Sequence, residues 1–317
     1  MATRLTVSIV GFVLFGAVLA HSVFTAPAGA QAQTGVTRTI FASVVAKDGS
    51  PVTDLTAADF EVREGGKLQP IASAKLATMA LRVHIIVSDG GSGAFQLGVL
   101  RLVQALVGRA EFALTSVLVQ SERIVDFTDN GEVIGAGIQN LGRRGTGQGG
   151  HQLMEAIRAA LTDIAAPGKH PVLIVLRIGN EEASTMPATA VRDALRKSGA
   201  TMYVVSRAGA SKAAPTYAGV NSTTGEAAQR QMDDSELADT ALNLNLVLGD
   251  GSRDSGGYQQ ETALTSAVPT LEQLGRDIKS QYEITYALPV GAKPSDRLQV
   301  TTKRKNVTLR APLKTPN

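Results

Sequence analysis

The chain has 317 residues, of which 44% are apolar and 19% charged, with a formal net charge of +3 and neither Cys nor Trp. Disulfides, thiol catalysis and Cys-ligated zinc are thereby excluded, and so mild a balance of scattered charges points away from nucleic acid. Thirty-two glycines and 4% aromatics predict many turns and a core of Val, Leu, Ile and Ala.

Arg4 precedes an apolar stretch over residues 5–20 and a small-residue run ending Ala28-Gly29-Ala30. A charged start, an apolar middle and a small-x-small site make a secretory signal peptide over residues 1–30, cut after Ala30. A cut after Ala20 and an uncleaved anchor are the competing readings, the anchor disfavoured because the stretch is shorter than a full ~20-residue span. No later segment is apolar and long enough to span a membrane. The mature chain is therefore expected in the periplasm or outside the cell.

Residues 31–80 read as a small N-terminal β subdomain. Ile40, Ala42 and Val44 alternate with Phe41, Ser43 and Val45, and Lys47-Asp48-Gly49-Ser50-Pro51 is a turn cluster. Thr56 is placed to cap a short helical piece. Phe60-Glu61-Val62-Arg63 reads as a strand, Glu64-Gly65-Gly66-Lys67 as a hairpin turn, and residues 68–77 as the returning strand.

The stretch 81–107 organises the middle of the chain. Val83-His84-Ile85-Ile86-Val87 is an apolar run that stops at Ser88-Asp89-Gly90-Gly91-Ser92-Gly93. Phe95, Val99, Leu102, Val103 and Leu106 then recur at helical spacing. That is a buried strand, a tight turn and a covering helix. Residues 112–119 and 122–127 read as strands, 131–141 as a short helix, 142–150 as a glycine-rich loop and 151–164 as a strong helix. Residues 171–176, 188–198 and 201–205 continue as strand, helix and strand. The rhythm predicts an α/β fold with a doubly wound, mostly parallel sheet over residues 81–207. Residues 208–257, rich in Ala, Ser, Gly, Asn and Gln, read as an insertion or flexible segment with one helix near 226–248. Residues 258–317 complete the domain with a helix over 270–279. Strands over 281–288, 297–302 and 306–310 are expected there as an antiparallel C-terminal ribbon.

In an open α/β sheet, ligands bind at the carboxyl ends of the central strands, so the turn after Val87 is the candidate site. The run Gly145-Thr146-Gly147-Gln148-Gly149-Gly150 precedes a helix and suits an anion, but it lacks a phosphate-loop ending. A plain loop is the better reading. The bland reading of His151 is a helix-start residue near solvent, and that of His84 a satisfied His within a strand. Ser92 has no nucleophile-elbow context.

The order of these pieces resembles a von Willebrand factor A-type (VWA) domain, and more closely the bacterial exported VWFA-related family. Val52-Thr53-Asp54-Leu55-Thr56-Ala57-Ala58-Asp59-Phe60-Glu61-Val62 and Gln281-Tyr282-Glu283-Ile284-Thr285-Tyr286 are similar to that family's flanking strands. The likeness covers most of the chain after the leader. It implies a metal-ion-dependent adhesion site whose first motif is Asp-x-Ser-x-Ser, completed by a Thr and a later Asp. Here Ser88 stands where the Asp belongs, Gly90 where the first Ser belongs, and only Ser92 agrees. His151 stands at the Thr, and Arg177-Ile178-Gly179 replaces Thr-Asp-Gly. Mg²⁺ wants hard oxygen ligands with carboxylates among them. The resemblance therefore implies a degenerate, metal-free site.

The leading expectation is an exported, non-enzymatic VWA-like module with no cofactor and no metal. It contacts another protein through loops carrying Ser88, Asp89, Ser92, His151 and Arg177. Two readings stand beside it. One is a metal-dependent adhesion domain with a non-standard site built from Asp89, Ser92 and His151, where His would favour a transition metal. The other is a hydrolase whose residues are not legible.

Overall fold

Alternating apolar residues fold the first described segment into β1 (Thr37–Ala46), which buries Ile40, Ala42 and Val44 on one face. The computed structural model describes residues 36–143, 151–179, 182–209 and 239–315. The expected signal peptide, the Gly145–Gly150 run and most of the 208–257 segment lie outside the described residues. After β1, a single helical turn over Ala57–Asp59 is closed by a capping box, with Thr56 N and Oγ1 both donating to Asp59 Oδ2 at 2.8 and 2.9 Å. Strand β2 (Phe60–Glu64) then turns at Gly65-Gly66 into β3 (Lys67–Gln69), and β4 (Ile71–Leu76) comes next.

These strands do not stand alone. They pair with β11 (Tyr282–Ala287), β12 (Leu298–Thr302) and β13 (Val307–Arg310), giving sheets of order β13-β1-β11-β4 and β12-β2-β3. The expected C-terminal ribbon is thus corrected: its strands are antiparallel, but each pairs with a strand from the start of the chain. Two-stranded ribbons are marginal in water. Here the apolar faces of both chain ends meet as one core of Ile40, Ala42, Val44, Tyr282, Ile284 and Tyr286. Glu64, buried within it, accepts from Tyr286 Oη at 2.8 Å, Ser295 N at 2.9 Å and Arg38 Nη1 at 3.2 Å. Strands β1–β4 and the last three strands form one β module.

The second part is a six-stranded sheet flanked by helices. Its strands are β5 (Ala80–Ser88), β6 (Ala110–Val117), β7 (Ser121–Thr128), β8 (Lys169–Arg177), β9 (Thr201–Arg207) and β10 (Tyr258–Thr262), in the order β10-β9-β8-β5-β6-β7. All are parallel except edge strand β7. Helices α1 (Gln96–Leu106), α2 (Gly131–Asn140) and α5 (Ala267–Lys279) cover one face. Helices α3 (Leu153–Asp163) and α4 (Ala188–Ser198) cover the other.

The period-two rule sorts the core. Val83, Ile85 and Val87 of β5 face Leu102, Leu106, Leu271 and Leu274, while Ile86 faces Leu153 and Ile157. Each such side chain contributes about 1.5–3 kcal/mol by leaving water. His84, also buried, bonds Thr115 Oγ1 through Nε2 at 2.8 Å, while its Nδ1 has no hydrogen-bond partner among the described residues, so the reading of a satisfied strand histidine holds for one nitrogen only.

Within the segment expected to be an insertion, residues 239–245 are helical and run into a π-helical turn over Leu246–Gly251. Leu244, Val247 and Leu248 pack into the face covered by α3 and α4, so this part is core. Among the described residues, no helix is long and apolar enough to cross a membrane.

The sheet order is that of a doubly wound fold, with β5 and β8 side by side and the chain winding outward from them in opposite directions. The crevice at their carboxyl ends is the topological switch point. Ser88 closes β5 and Arg177 closes β8, paired in register across it.

Candidate functional site at the switch point

The run Val83–Val87 ends because its next residues cannot stay in a sheet. Gly90, Gly91 and Gly93 all take positive φ, at 63°, 75° and 69°, a region open to glycine at little cost. Gly93 also meets a neighbouring backbone: a Cβ there would stand 3.0 Å from Gly142 Cα. Asp89 folds back over this turn, its Oδ1 accepting from Gly91 N at 3.1 Å. Burial pushes the Asp89 carboxyl up, and the amides of Gly91, Ala94, Gly93 and Phe95 pull it down. Asp89 therefore serves the turn and the start of α1.

Ser88 does something different. Its carbonyl accepts from Ile178 N at 3.1 Å, locking the ends of β5 and β8, and its Oγ lies 2.8 Å from His151 Nδ1. Ser88 is 3% exposed and His151 4%. His151 stands just before α3. Its carbonyl accepts from Ala183 N at 2.8 Å, and the following amide, Gln152 N, donates to Val119 O at 3.1 Å. The expectation of a solvent-facing helix-start histidine is corrected: Ser88 and the 182–184 segment enclose it.

Segment 182–184 also caps α3. Glu182 Oε1 accepts from Leu153 N at 3.2 Å and from Ser184 N at 3.1 Å, and Ser184 Oγ accepts from Met154 N at 3.0 Å. Helix N-termini leave amides without intrahelical partners, and an acidic side chain there also complements the helix dipole. Burial nevertheless lifts the Glu182 carboxyl to about 7, against the pull of Ser184, Arg177 and the Leu153 amide. Arg177, 5% exposed, donates from Nη2 to Gly179 O at 2.5 Å. Burial lowers its pKa and the Glu182 charge raises it.

The structure thus joins two of the five expected site residues, Ser88 and His151, and sets Arg177 beside them in the β5–β8 ladder. Asp89 is buried on the turn. Ser92 is exposed at its tip, where its Oγ accepts from Ala94 N at 3.4 Å. Four of the five side chains are therefore buried. Among the described residues, the exposed positions of these loops include Ser92, Val119, Gly142 and Arg143. Nothing in the sequence singles out Glu182. It caps a helix that begins 29 residues earlier, and no local spacing announces such a cap.

The fit to a divalent cation is poor. The Ser88 hydroxyl and His151 imidazole are engaged with each other, Asp89 is turned to backbone amides, and Glu182 is spent on α3. A buried guanidinium stands beside them. Among the described residues no group of three or more His, Asp or Glu is placed to hold a metal ion. Such a set does not supply the hard oxygen shell that Mg²⁺ needs.

No protein-family model matches the chain, and no curated protein matches it. Among solved structures it is similar to a conserved hypothetical protein, BatB, from Bacteroides thetaiotaomicron, with 14% identity and a TM-score of 0.39 over 63% of this chain and 100% of that one. It is also similar to a von Willebrand factor type A structure from Catenulispora acidiphila, with 11% identity and a TM-score of 0.41 over 91% of this chain and 76% of that one. Proximal thread matrix protein 1 from the mussel byssus shows 14% identity and a TM-score of 0.41, covering 65% of this chain and 48% of that one.

Proposed function

We propose that the chain is an exported, VWA-like module that binds another protein through the rim at the carboxyl ends of β5 and β8, without catalysis and without a divalent ion. The observation that carries this reading is the buried Ser88–His151 hydrogen bond at 2.8 Å. In a metal-dependent site of this layout, an ion links the end of the first central strand to the start of the helix facing it. Here a direct hydrogen bond makes the same link. The sheet order and the sequence likeness of Val52–Val62 and Gln281–Tyr286 support the VWA-like reading, and Arg4, the apolar stretch 5–20 and Ala28-Gly29-Ala30 support export. Because the central side chains are buried, recognition falls to Ser92, Val119, Gly142 and Arg143. Val119 is 40% exposed and gives the rim its apolar contact.

Two measurements test the reading together. A thermal melt of residues 31–317 with EDTA, then Mg²⁺, Mn²⁺, Ca²⁺ or Zn²⁺, is expected to show no shift. An ion at ~100 times its dissociation constant stabilises the native state by about 2.7 kcal/mol, which a melt detects. A Mg²⁺ or Mn²⁺ shift abolished by Asp89→Ala would move the assignment to a metal-dependent adhesion domain. Cross-linking in the exported fraction should yield a partner lost from Val119→Asp, and retention of every partner by that variant would sink the rim assignment.

The Ser88–His151 bond also favours a second reading, a hydrolase, since a hydroxyl bonded to an imidazole is how nucleophile and base are paired. Burial weighs against it, because a nucleophile has to reach its substrate. Labelling of Ser88 by a fluorophosphonate, with turnover of p-nitrophenyl esters lost in Ser88→Ala, would establish it.

A further inference from the structure

At the opposite end of the sheet, where β8 and β9 begin, the β module closes on α4 and leaves a cavity of about 390 Å³. That volume lies in the range of small-molecule sites, ~300–1,000 Å³. Three features of its lining point to one class of ligand.

The first is an apolar wall. Ile40 and Phe41 from β1, Pro171 from β8, Leu195 from α4, and Pro312 contribute to it. Phe41 is stacked on the His170 ring with centroids 3.7 Å apart and planes 24° from parallel, so part of the wall is a flat aromatic pair.

The second is a surplus of positive charge that the protein leaves weakly neutralised. Four cations line the cavity: Lys169, Arg192, Arg196 and Lys314. Arg192 is committed to Asp254 at 2.8 Å and Lys169 to Glu111 at 2.5 Å. Arg196 and Lys314 share a single carboxylate, Asp296, at 3.8 and 3.6 Å, and that side chain is 59% exposed. Exposed pairs of such length contribute little. The remaining lining carboxylate, Asp193, is itself exposed.

The third is a pair of buried polar atoms. Arg196 Nε and His170 Nδ1 have no hydrogen-bond partner among the described residues, although His170 engages Thr201 Oγ1 through Nε2 at 3.3 Å. A buried polar atom without a partner is costly to the fold. Arg196 Nε is a donor, and His170 Nδ1 is one as well in the tautomer whose Nε2 accepts from the Thr201 hydroxyl, so the lining suits a ligand that carries acceptors. Burial holds His170 neutral near pH 7, so positive charge for an anion comes from Arg196 and Lys314.

We propose that this cavity binds a small organic acid, its carboxylate held by Arg196 and Lys314 and its aromatic or hydrocarbon body set against Phe41, Pro171, Leu195 and Pro312. Guanidinium suits the carboxylate because its planar fork matches the two oxygens. The cavity lies at the other end of the sheet from Ser88 and His151, and the assignment is independent of the function proposed for that end.

Calorimetric titration of the full chain with benzoate, phenylacetate, octanoate and the neutral benzamide tests it. At least one of the acids is expected to bind with one-to-one stoichiometry at millimolar concentration or below, and more tightly than benzamide. Arg196→Met and Lys314→Met keep an aliphatic stem while removing the charge, and each should weaken that acid by about tenfold or more. Arg101→Met, which removes an exposed cation of α1 on the other face of the sheet, should leave it unchanged. Binding of none of the acids would overturn the site. Equal binding of benzoate and benzamide would overturn the carboxylate assignment, as would unchanged affinity in both Met variants. Circular dichroism of each variant, matched to the parent, keeps a lost fold from being read as a lost ligand.

Discussion

Ser88 Oγ and His151 Nδ1 meet at 2.8 Å across the carboxyl end of the central sheet, joining the last residue of β5 to the residue two before α3. Both are buried, and the Ser88 carbonyl simultaneously accepts from Ile178 beyond β8. One residue therefore holds three elements in register: β5, β8 and the entry to α3. In a site that depends on a bound ion, this geometry would loosen when the ion leaves. Built from a hydrogen bond, it is present in the folded chain from the outset.

Removing both partners should cost less than the sum of removing each alone. Ser88→Ala leaves His151 Nδ1 buried without its acceptor or donor, at a cost of about 1–3 kcal/mol. His151→Leu strands the Ser88 hydroxyl in the same way and in addition gives up the rest of the imidazole's contacts. The double variant should be less damaged than the two single losses together by about 1 kcal/mol, because the stranded polar atom is gone in each background. Urea melts of all four proteins give the coupling. Additive losses would mean that the 2.8 Å contact contributes nothing to stability.

Local pattern brings much of this fold into view, and long-range pairing hides the rest. The run Val83–Val87, its glycine turn and the helix over 188–198 are legible because period, breaker and cap lie within a dozen residues of each other. The partners of β1 are not. Ile40 and Tyr282 come from opposite ends of the chain, and alternation tells which face a strand buries but not which strand lies beside it. The site shows the same division. Matching apolar strand to apolar strand reaches Ser88, His151 and Arg177 but not their burial, since His151 reads as a helix-start residue after a glycine-rich loop. Glu182 escapes sequence reading because it caps a helix it does not precede.

Glycines separate into those the fold requires and those it tolerates. A Cβ on Gly257 would stand 1.9 Å from Met202 O, a backbone atom of β9 that cannot turn aside. Gly257→Ala should force β10 away from β9 and destabilise by about 3 kcal/mol or more. Gly135, in the middle of α2, has nothing within 4 Å of the position its Cβ would take. Gly135→Ala should stabilise by about 0.5–1 kcal/mol, from the lower entropy of the unfolded chain and better helix propensity. Equal midpoints for the two variants in chemical denaturation would contradict the close approach at β9.

The Glu182 carboxyl makes the site sensitive to pH in a defined direction. Burial raises it from an ordinary 4.5 to about 7 in the folded chain, despite the opposing pull of Ser184, Arg177 and the Leu153 amide. An acid with a raised folded pKa favours folding while protonated. Its contribution is complete below about 4.5 and is lost as pH rises towards 7, a change of about 3 kcal/mol. His84 and His170 act in the opposite sense. Burial holds both down to about 3, so their contribution is present above the ordinary 6.5 and is lost as pH falls towards 3. The whole-chain stability profile mixes these trends, and the informative quantity is the difference between parent and Glu182→Gln. Gln keeps an oxygen for the amides of Leu153 and Ser184 but has no proton to lose. The variant should gain on the parent steadily from pH 5 to pH 7 and hold a constant margin above that range. A margin that does not change across this interval would place the titration of Glu182 outside it, and the carboxylate would then be ionised and paired with Arg177 at every physiological pH.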